Sequence, residues 1–266
     1  MSATVAVPLP SATVMLLRDG ADGLEVFMVV RHHQIDFASG ALVFPGGKVD
    51  PGDSAVAVRG RCRGVDALGE AELAYRVCAI REAFEECGVL LARPQGQEEL
   101  VGAERLATLD RKYRHDLEKG VIGIGRMTEQ EDLELACDLL VPFAHWITPT
   151  PMPKRFDTHF FLANAPADQL AVHDGRESVD SVWITPRQAL ADADAGRLTL
   201  VFATSMNLKK LANSDSVAAA TAAAQGAAIV TVMPQVSESP DGRVLRIPLA
   251  AGYGVAEVSL KGMPRP

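Results

Sequence analysis

Arg81-Glu82-Ala83-Phe84-Glu85-Glu86-Cys87-Gly88-Val89 reads as the end of a helix that carries acid on one side. Glu82, Glu85 and Glu86 are spaced i, i+3, i+4, so their carboxylates gather within one turn. Gly88 follows as a stop, free to take the left-handed conformation that closes a helix. Upstream, Leu73, Val77, Ile80, Phe84 and Cys87 recur at steps of four and three, which predicts one apolar stripe. At about 100° per residue the three acids fall opposite that stripe. The helix should therefore rest on a sheet with its carboxylates turned away from the core. On an exposed helix such neighbours repel by about 0.2–0.5 kcal/mol per pair. A divalent cation reverses that sign, because magnesium and manganese select hard oxygen ligands. Taken alone, an acidic face also describes ordinary solvated surface.

A second stretch, Phe44-Pro45-Gly46-Gly47-Lys48-Val49-Asp50-Pro51-Gly52-Asp53, ends a strand with glycines that let backbone approach a ligand closely. Together the two stretches resemble the Nudix signature: Gly, five residues, Glu, seven residues, then Arg-Glu-x-x-Glu-Glu-x-Gly and an aliphatic residue. Gly47 is followed by five residues and Asp53, and Arg81 through Val89 fits the second half. Two features depart from the pattern. Asp53 stands for the usual Glu, and Ser54 to Ile80 makes a spacer of 27 residues in place of seven. An interrupted box of this kind is similar to that of the branch with the peroxisomal coenzyme A diphosphatases and their bacterial relatives. The resemblance extends from residue 11 to about 212, through Gly40 to Gly47, Trp146 to Pro149 and Arg155 to Thr158.

The resemblance implies an α/β/α sandwich with a mixed β-sheet. One domain would have its core at about 11–94 and 141–212, a helical insertion at about 95–140 and a C-terminal extension at about 213–266. It implies metal-dependent cleavage of a diphosphate linkage in a nucleoside diphosphate derivative. Coenzyme A or an acyl derivative leads, with NADH, ADP-ribose and nucleotide sugars open. Mg²⁺ or Mn²⁺ is expected on Glu82, Glu85, Glu86 and the Gly46 carbonyl. Glu85 is the expected base, with Glu82 or Glu177 as fallbacks; Asp174 and Asp180 are further candidates. Arg81 would orient a carboxylate, and Asp53, one methylene shorter than Glu, would support the metal cluster or leave that position weak. Arg31, Gly47, Arg155 and Asp157 are expected at the substrate. The upstream coenzyme A pattern is matched only in part: His32 stands where Ser is expected, and Ile35 where an Arg is expected. The alternative from another class is a Nudix-fold sensor that binds a nucleotide without cleaving it.

The rest of the composition excludes more than it assigns. A chain of 266 residues with net charge −8 does not suit a nonspecific nucleic-acid binder. Cys62, Cys78, Cys87 and Cys137 lack CxxC pairing and zinc spacing, so they read as small structural residues in a reducing cytoplasm. No signal peptide, membrane span or C-terminal peroxisomal address is evident, and a homodimer is left open.

Along the chain, Ala12 to Leu17 and Leu24 to Arg31 read as a hairpin, and Arg59-Gly60-Arg61-Cys62-Arg63-Gly64 as a solvated basic loop. Val89 to Leu91 reads as a short strand. Glu98 to Lys119 and Glu129 to Leu139 look helical, with Thr128 and Glu131 as a capping box. Strands are expected at Val141 to Ile147, Arg155 to Leu162 and Val179 to Ile184, with a helix from Pro186 to Ala195 capped by Thr185. Another helix should start near Thr199, and the Ala-rich run to Gln225 either prolongs it or stays flexible. Ile229 to Val236 and Val244 to Pro248 look like a late hairpin. His145 and His159 are weighed as metal ligands and set aside, since oxygen ligands are already supplied.

Overall fold

Strand β1 (Leu9–Gly20) alternates between two cores: Ala12, Val14 and Leu16 enter one, and Met15 and Leu17 the other. Strand β2 (Gly23–Arg31) follows through a two-residue turn and repeats the alternation, with Phe27 and Val29 opposed to Val26 and Met28. The computed structural model describes residues 6–31, 40–150, 152–169, 171, 178–239 and 242–259. Strands β3 (Leu42–Val43) and β4 (Gly46–Lys48) lead to helices α1 (Val56–Arg59) and α2 (Glu70–Cys87). Strand β5 (Ala92–Pro94), helices α3 (Ala103–Leu109), α4 (His115–Glu118) and α5 (Ile124–Gln130), and strand β6 (Leu133–Leu135) form the insertion. Strands β7 (Val141–Ile147), β8 (Phe156–Asn164) and β9 (Ser178–Ile184) return to the sheet. Helices α6 (Pro186–Asp194), α7 (Phe202–Leu211) and α8 (Val217–Gln225) come next. Strands β10 (Thr231–Val232), β11 (Gln235–Ser239), β12 (Gly242–Arg246) and β13 (Glu257–Ser259) end the described chain.

The main sheet runs β10-β7-β8-β1-β2-β3, with β4 added to β1 and β9 to β2. β8 lies parallel to β1, whereas β2 and β4 are antiparallel to it, so the sheet is mixed. Helix α2 and the insertion cover one face; α6, α7 and α8 cover the other. This is the expected α/β/α sandwich. No helix among the described residues is long and apolar enough to cross a membrane. All four cysteines are free thiols.

The stripe of Leu73, Val77, Ile80, Phe84 and Cys87 does pack into the first core. Burial is broader than a stripe, however, because Ala79 and Ala83 are also inaccessible. The helix is held in on nearly all sides from Leu73 to Cys87.

The two insertions grip each other. Arg61 pairs with Asp132 at 2.7 Å and donates to Gln95, while Arg63 pairs with Glu98 at 2.8 Å. The basic loop is thus neither freely solvated nor held over the acids. Val58 and Val65 from the spacer and Leu109, Tyr113 and Met127 from the later insertion join the core around α2.

Several expectations are corrected. The strand expected at Val89 to Leu91 begins only at Ala92. The helix expected at Glu129 to Leu139 is instead α5, β6 and a 3₁₀ turn, Cys137–Leu139. Thr128 lies inside α5, where its hydroxyl donates to the Gly125 carbonyl at 2.8 Å and does not cap. The Ala-rich run is a separate helix, α8, whose Ser216 hydroxyl accepts from the Ala219 N–H. The segment after residue 213 is built into the second core through Val217, Ala220, Val232 and Tyr253, and β10 extends the main sheet.

Candidate active site

Helix α2 ends where the sequence places its stop. Gly88 takes φ +68°, and its N–H bonds to the Phe84 carbonyl at 3.0 Å while that of Val89 bonds to Ala83 at 3.2 Å. The last turn is thereby fixed against β4 and its turn. The Gly46 N–H donates to Glu86 Oε2 at 3.0 Å. Gly47 lies so close to Glu82 that a Cβ there would overlap the carboxylate. Two segments separated by the spacer meet in one place.

The acids are not on an open surface. Glu82, Glu85 and Glu86 are 9, 8 and 9 % exposed, which corrects the expectation of a face turned out of the core. The turn before α1 brings Asp53 to Arg81, and Arg114 of the insertion reaches the Glu85 carbonyl. Arg81, equally buried, organises the group. Its Nε and Nη2 grip Asp53 at 3.0 Å each, and its Nη1 donates to Glu82 Oε1 at 2.8 Å and to Glu85 Oε2 at 3.1 Å. Nη2 also reaches the Lys48 carbonyl at 2.8 Å, tying α2 to the end of β4.

Asp53 is a positioning residue in this arrangement. Both its oxygens face Arg81, and one also accepts the Asp50 N–H at 2.8 Å. The carboxylate is committed to the guanidinium. Burial pushes the Asp53 carboxyl up, against the pull of Arg81. Burial also raises Glu85, to about 8, with Glu82 adding to the effect and Arg81 opposing it. Glu85 Oε1 is buried without a hydrogen-bond partner. A buried carboxylate oxygen with nothing to bond is costly and calls for an occupant. Three carboxylates pair with one guanidinium and a fourth, Glu86, is buried on the same helix turn, so a divalent cation fits both the charge and the chemistry of these donors.

Arg114 escaped the sequence reading. It lies in the insertion, between α3 and α4, and its Nε donates to the Glu85 carbonyl at 2.8 Å while Nη1 pairs with Asp110 at 3.2 Å. A cation at a helix C-terminus is stabilising, but this one arrives through tertiary packing, and no local signal announces it.

Other expected residues lie elsewhere. Arg155 donates to the carbonyls of Thr148 and Ala6 at 2.9 and 2.8 Å and approaches the Met233 sulfur, so its guanidinium ties loops together. The expectation of phosphate recognition does not match those contacts. Asp157 bonds His145 at 2.5 Å on the far side of β8 from β1. Asp180 is exposed on β9 and accepts the Ser181 N–H. The side chain of Arg31, and all of His32, Ile35, Asp174 and Glu177, lie outside the described residues.

The comparisons agree with this geometry. The family model described as NUDT19 Nudix domain matches residues 58–201. The acyl-coenzyme A diphosphatase NUDT19 of Xenopus laevis is 25% identical over 206 residues, which cover 63% of this chain and 54% of that one. Its Homo sapiens counterpart is 31% identical over 129 residues, covering 44% of this chain and 33% of that one. The chain thus matches at most about half the length of these relatives. A crystal structure of a NUDIX hydrolase from Alicyclobacillus acidocaldarius has a TM-score of 0.68 at 29% identity and covers 83% of this chain and 97% of that one. With more than half its length in the family match and the two halves of the box brought together around Arg81, the chain belongs to the NUDT19 Nudix domain family of the Nudix superfamily.

Proposed function

We propose that the chain is a divalent-metal-dependent hydrolase that cleaves a diphosphate linkage in a nucleoside diphosphate derivative, with coenzyme A or an acyl-coenzyme A as the leading substrate. The observation that carries this reading is the buried cluster around Arg81, with its one carboxylate oxygen lacking a partner. Glu82, Glu85, Glu86 and the Gly46 carbonyl would hold Mg²⁺ or Mn²⁺, ions that favour such oxygens. When bound, the ion supplies Lewis-acid stabilisation of charge on the diphosphate.

The chain's own residues do the remaining work. Arg81 holds Glu82 and Glu85 in fixed rotamers, with Asp53 anchoring the guanidinium from behind. Gly47 leaves room for the Glu82 carboxylate. Glu85, whose Oε1 is buried without a hydrogen-bond partner, is the group placed to take a proton from attacking water. Burial raises its carboxyl to about 8, so it accepts that proton only in the ionised form, which positive charge nearby favours. Water then adds to one phosphorus, and the bond from that phosphorus to the bridging oxygen breaks. The coenzyme A class is supported by the relatives described as acyl-coenzyme A diphosphatases.

The test is a panel of coenzyme A, an acyl-coenzyme A, NADH and ADP-ribose incubated with the protein and Mg²⁺ or Mn²⁺. Metal-dependent cleavage of the coenzyme A compounds is expected. Cleavage of NADH or ADP-ribose alone would move the substrate, and nucleotide binding with no cleavage of any compound would replace the enzyme by a sensor.

A further inference from the structure

Away from the acids, the register of the sheet assembles a second set of ligand atoms. His145 on β7 lies directly opposite His159 on β8, and Asp157 is two residues from His159 on the same face of that strand. One nitrogen from each histidine and one Asp157 oxygen all lie within 4.8 Å of one another. The two imidazoles stack at 4.1 Å between centroids, and Tyr75 of α2 stacks on His159 at 3.9 Å, which fixes both rings. Thr231 of β10 bonds His145 Nδ1 at 2.8 Å. Thr231 engages Nδ1, so Nε2 is the atom that faces Asp157, bonded to its Oδ1 at 2.5 Å, and a metal there would take the place of the shared proton.

We propose that His145 Nε2, Asp157 and a ring nitrogen of His159 form a binding site for a divalent transition metal of the Zn²⁺ class, separate from the acid cluster. Two imidazoles and one carboxylate form a donor set that zinc accepts and magnesium does not favour. Tetrahedral coordination at about 2.0–2.1 Å wants ligand atoms about 3.3 Å apart. The His145–Asp157 pair opens from 2.5 Å while ligand atoms up to 4.8 Å apart close, both by small changes in side-chain torsion. Thr231 takes the outer position that ligating histidines characteristically require. Three protein ligands leave the fourth position to water, and Asp157 retains 30 % of its side-chain surface exposed. His159 pairs with Ala12, and Ala12 with Gly47, so the His159 backbone lies two strand spacings, about 10 Å, from that of Gly47, which abuts Glu82.

The test titrates the metal-stripped full chain with Zn²⁺ in excess Mg²⁺ by calorimetry, with Co²⁺ absorption as a report on ligand type. His159→Phe keeps a ring in the stack but removes the nitrogen, and Asp157→Asn keeps the shape but removes the charge; circular dichroism checks that both fold. The expected result is one Zn²⁺ per chain, with affinity at least about tenfold weaker in both variants and retained in Glu85→Gln. Equal binding in wild type and His159→Phe, loss of binding in Glu85→Gln, or no binding at all would each overturn the site.

Discussion

One polar cluster is carried by helix α2 and the other by strands β7 and β8, and they differ in what they offer and how they are held. The acid cluster is almost sealed, rich in oxygen, and built round a guanidinium that touches three carboxylates. The histidine cluster is more open, rich in nitrogen, and held by ring stacking and one hydroxyl. A sealed set of like charges is unstable without a counter-ion, whereas two imidazoles beside one carboxylate gather no such surplus of one sign. The first cluster therefore depends on its cation partners, and the second only gains from one.

Arg81→Ala is the harshest way to break this contrast. Removing the guanidinium leaves Asp53, Glu82 and Glu85 uncompensated in a buried site, and a loss of about 3–5 kcal/mol in urea unfolding is expected. Unchanged stability would mean that the network contributes nothing. Gly47→Ala is milder and sharper, because it displaces the Glu82 carboxylate without touching the histidines. A drop of about 100-fold in kcat/KM is expected, as small misplacements of a catalytic group commonly cause. Full activity would show that the close approach is incidental. Arg114→Ala removes a charged hydrogen bond to the Glu85 carbonyl and should cost about 1.5 kcal/mol, measured by thermal unfolding with metal-free protein. Arg63→Ala cuts an exposed link between the insertions, and less than about 1 kcal/mol is expected; a larger loss would make the insertions one cooperative unit with the core.

The acid cluster was legible because one helix turn carries three of its members, and Gly47 and Gly88 carry their own backbone signals. The α6 cap was legible for the same local reason, with Thr185 accepting from Gln188. The burial of the acids was not legible, since periodicity reports spacing along a helix and says nothing of a second layer packed over its polar side. Arg114 and the loop-tying role of Arg155 depend on chain segments distant in sequence. The histidine cluster depends on the pairing of β7 with β8, and a one-residue slip would turn His145 to the other face. In the insertion, α5 ends and β6 begins where the sequence suggests one helix, because Leu133 and Leu135 pair with β5 and pack against the α2 core.

Glu85→Gln is the most direct test of the acid cluster as the hydrolytic site. Its turnover of coenzyme A should be measured with saturating Mg²⁺ beside the melting temperature of the same preparation. Glutamine keeps the shape and the Arg81 contact but loses the charge and the proton-accepting oxygen. A fall in kcat of about 10²–10⁴-fold with the fold intact is predicted. Turnover near the wild-type rate would place the chemistry elsewhere and contradict the assignment.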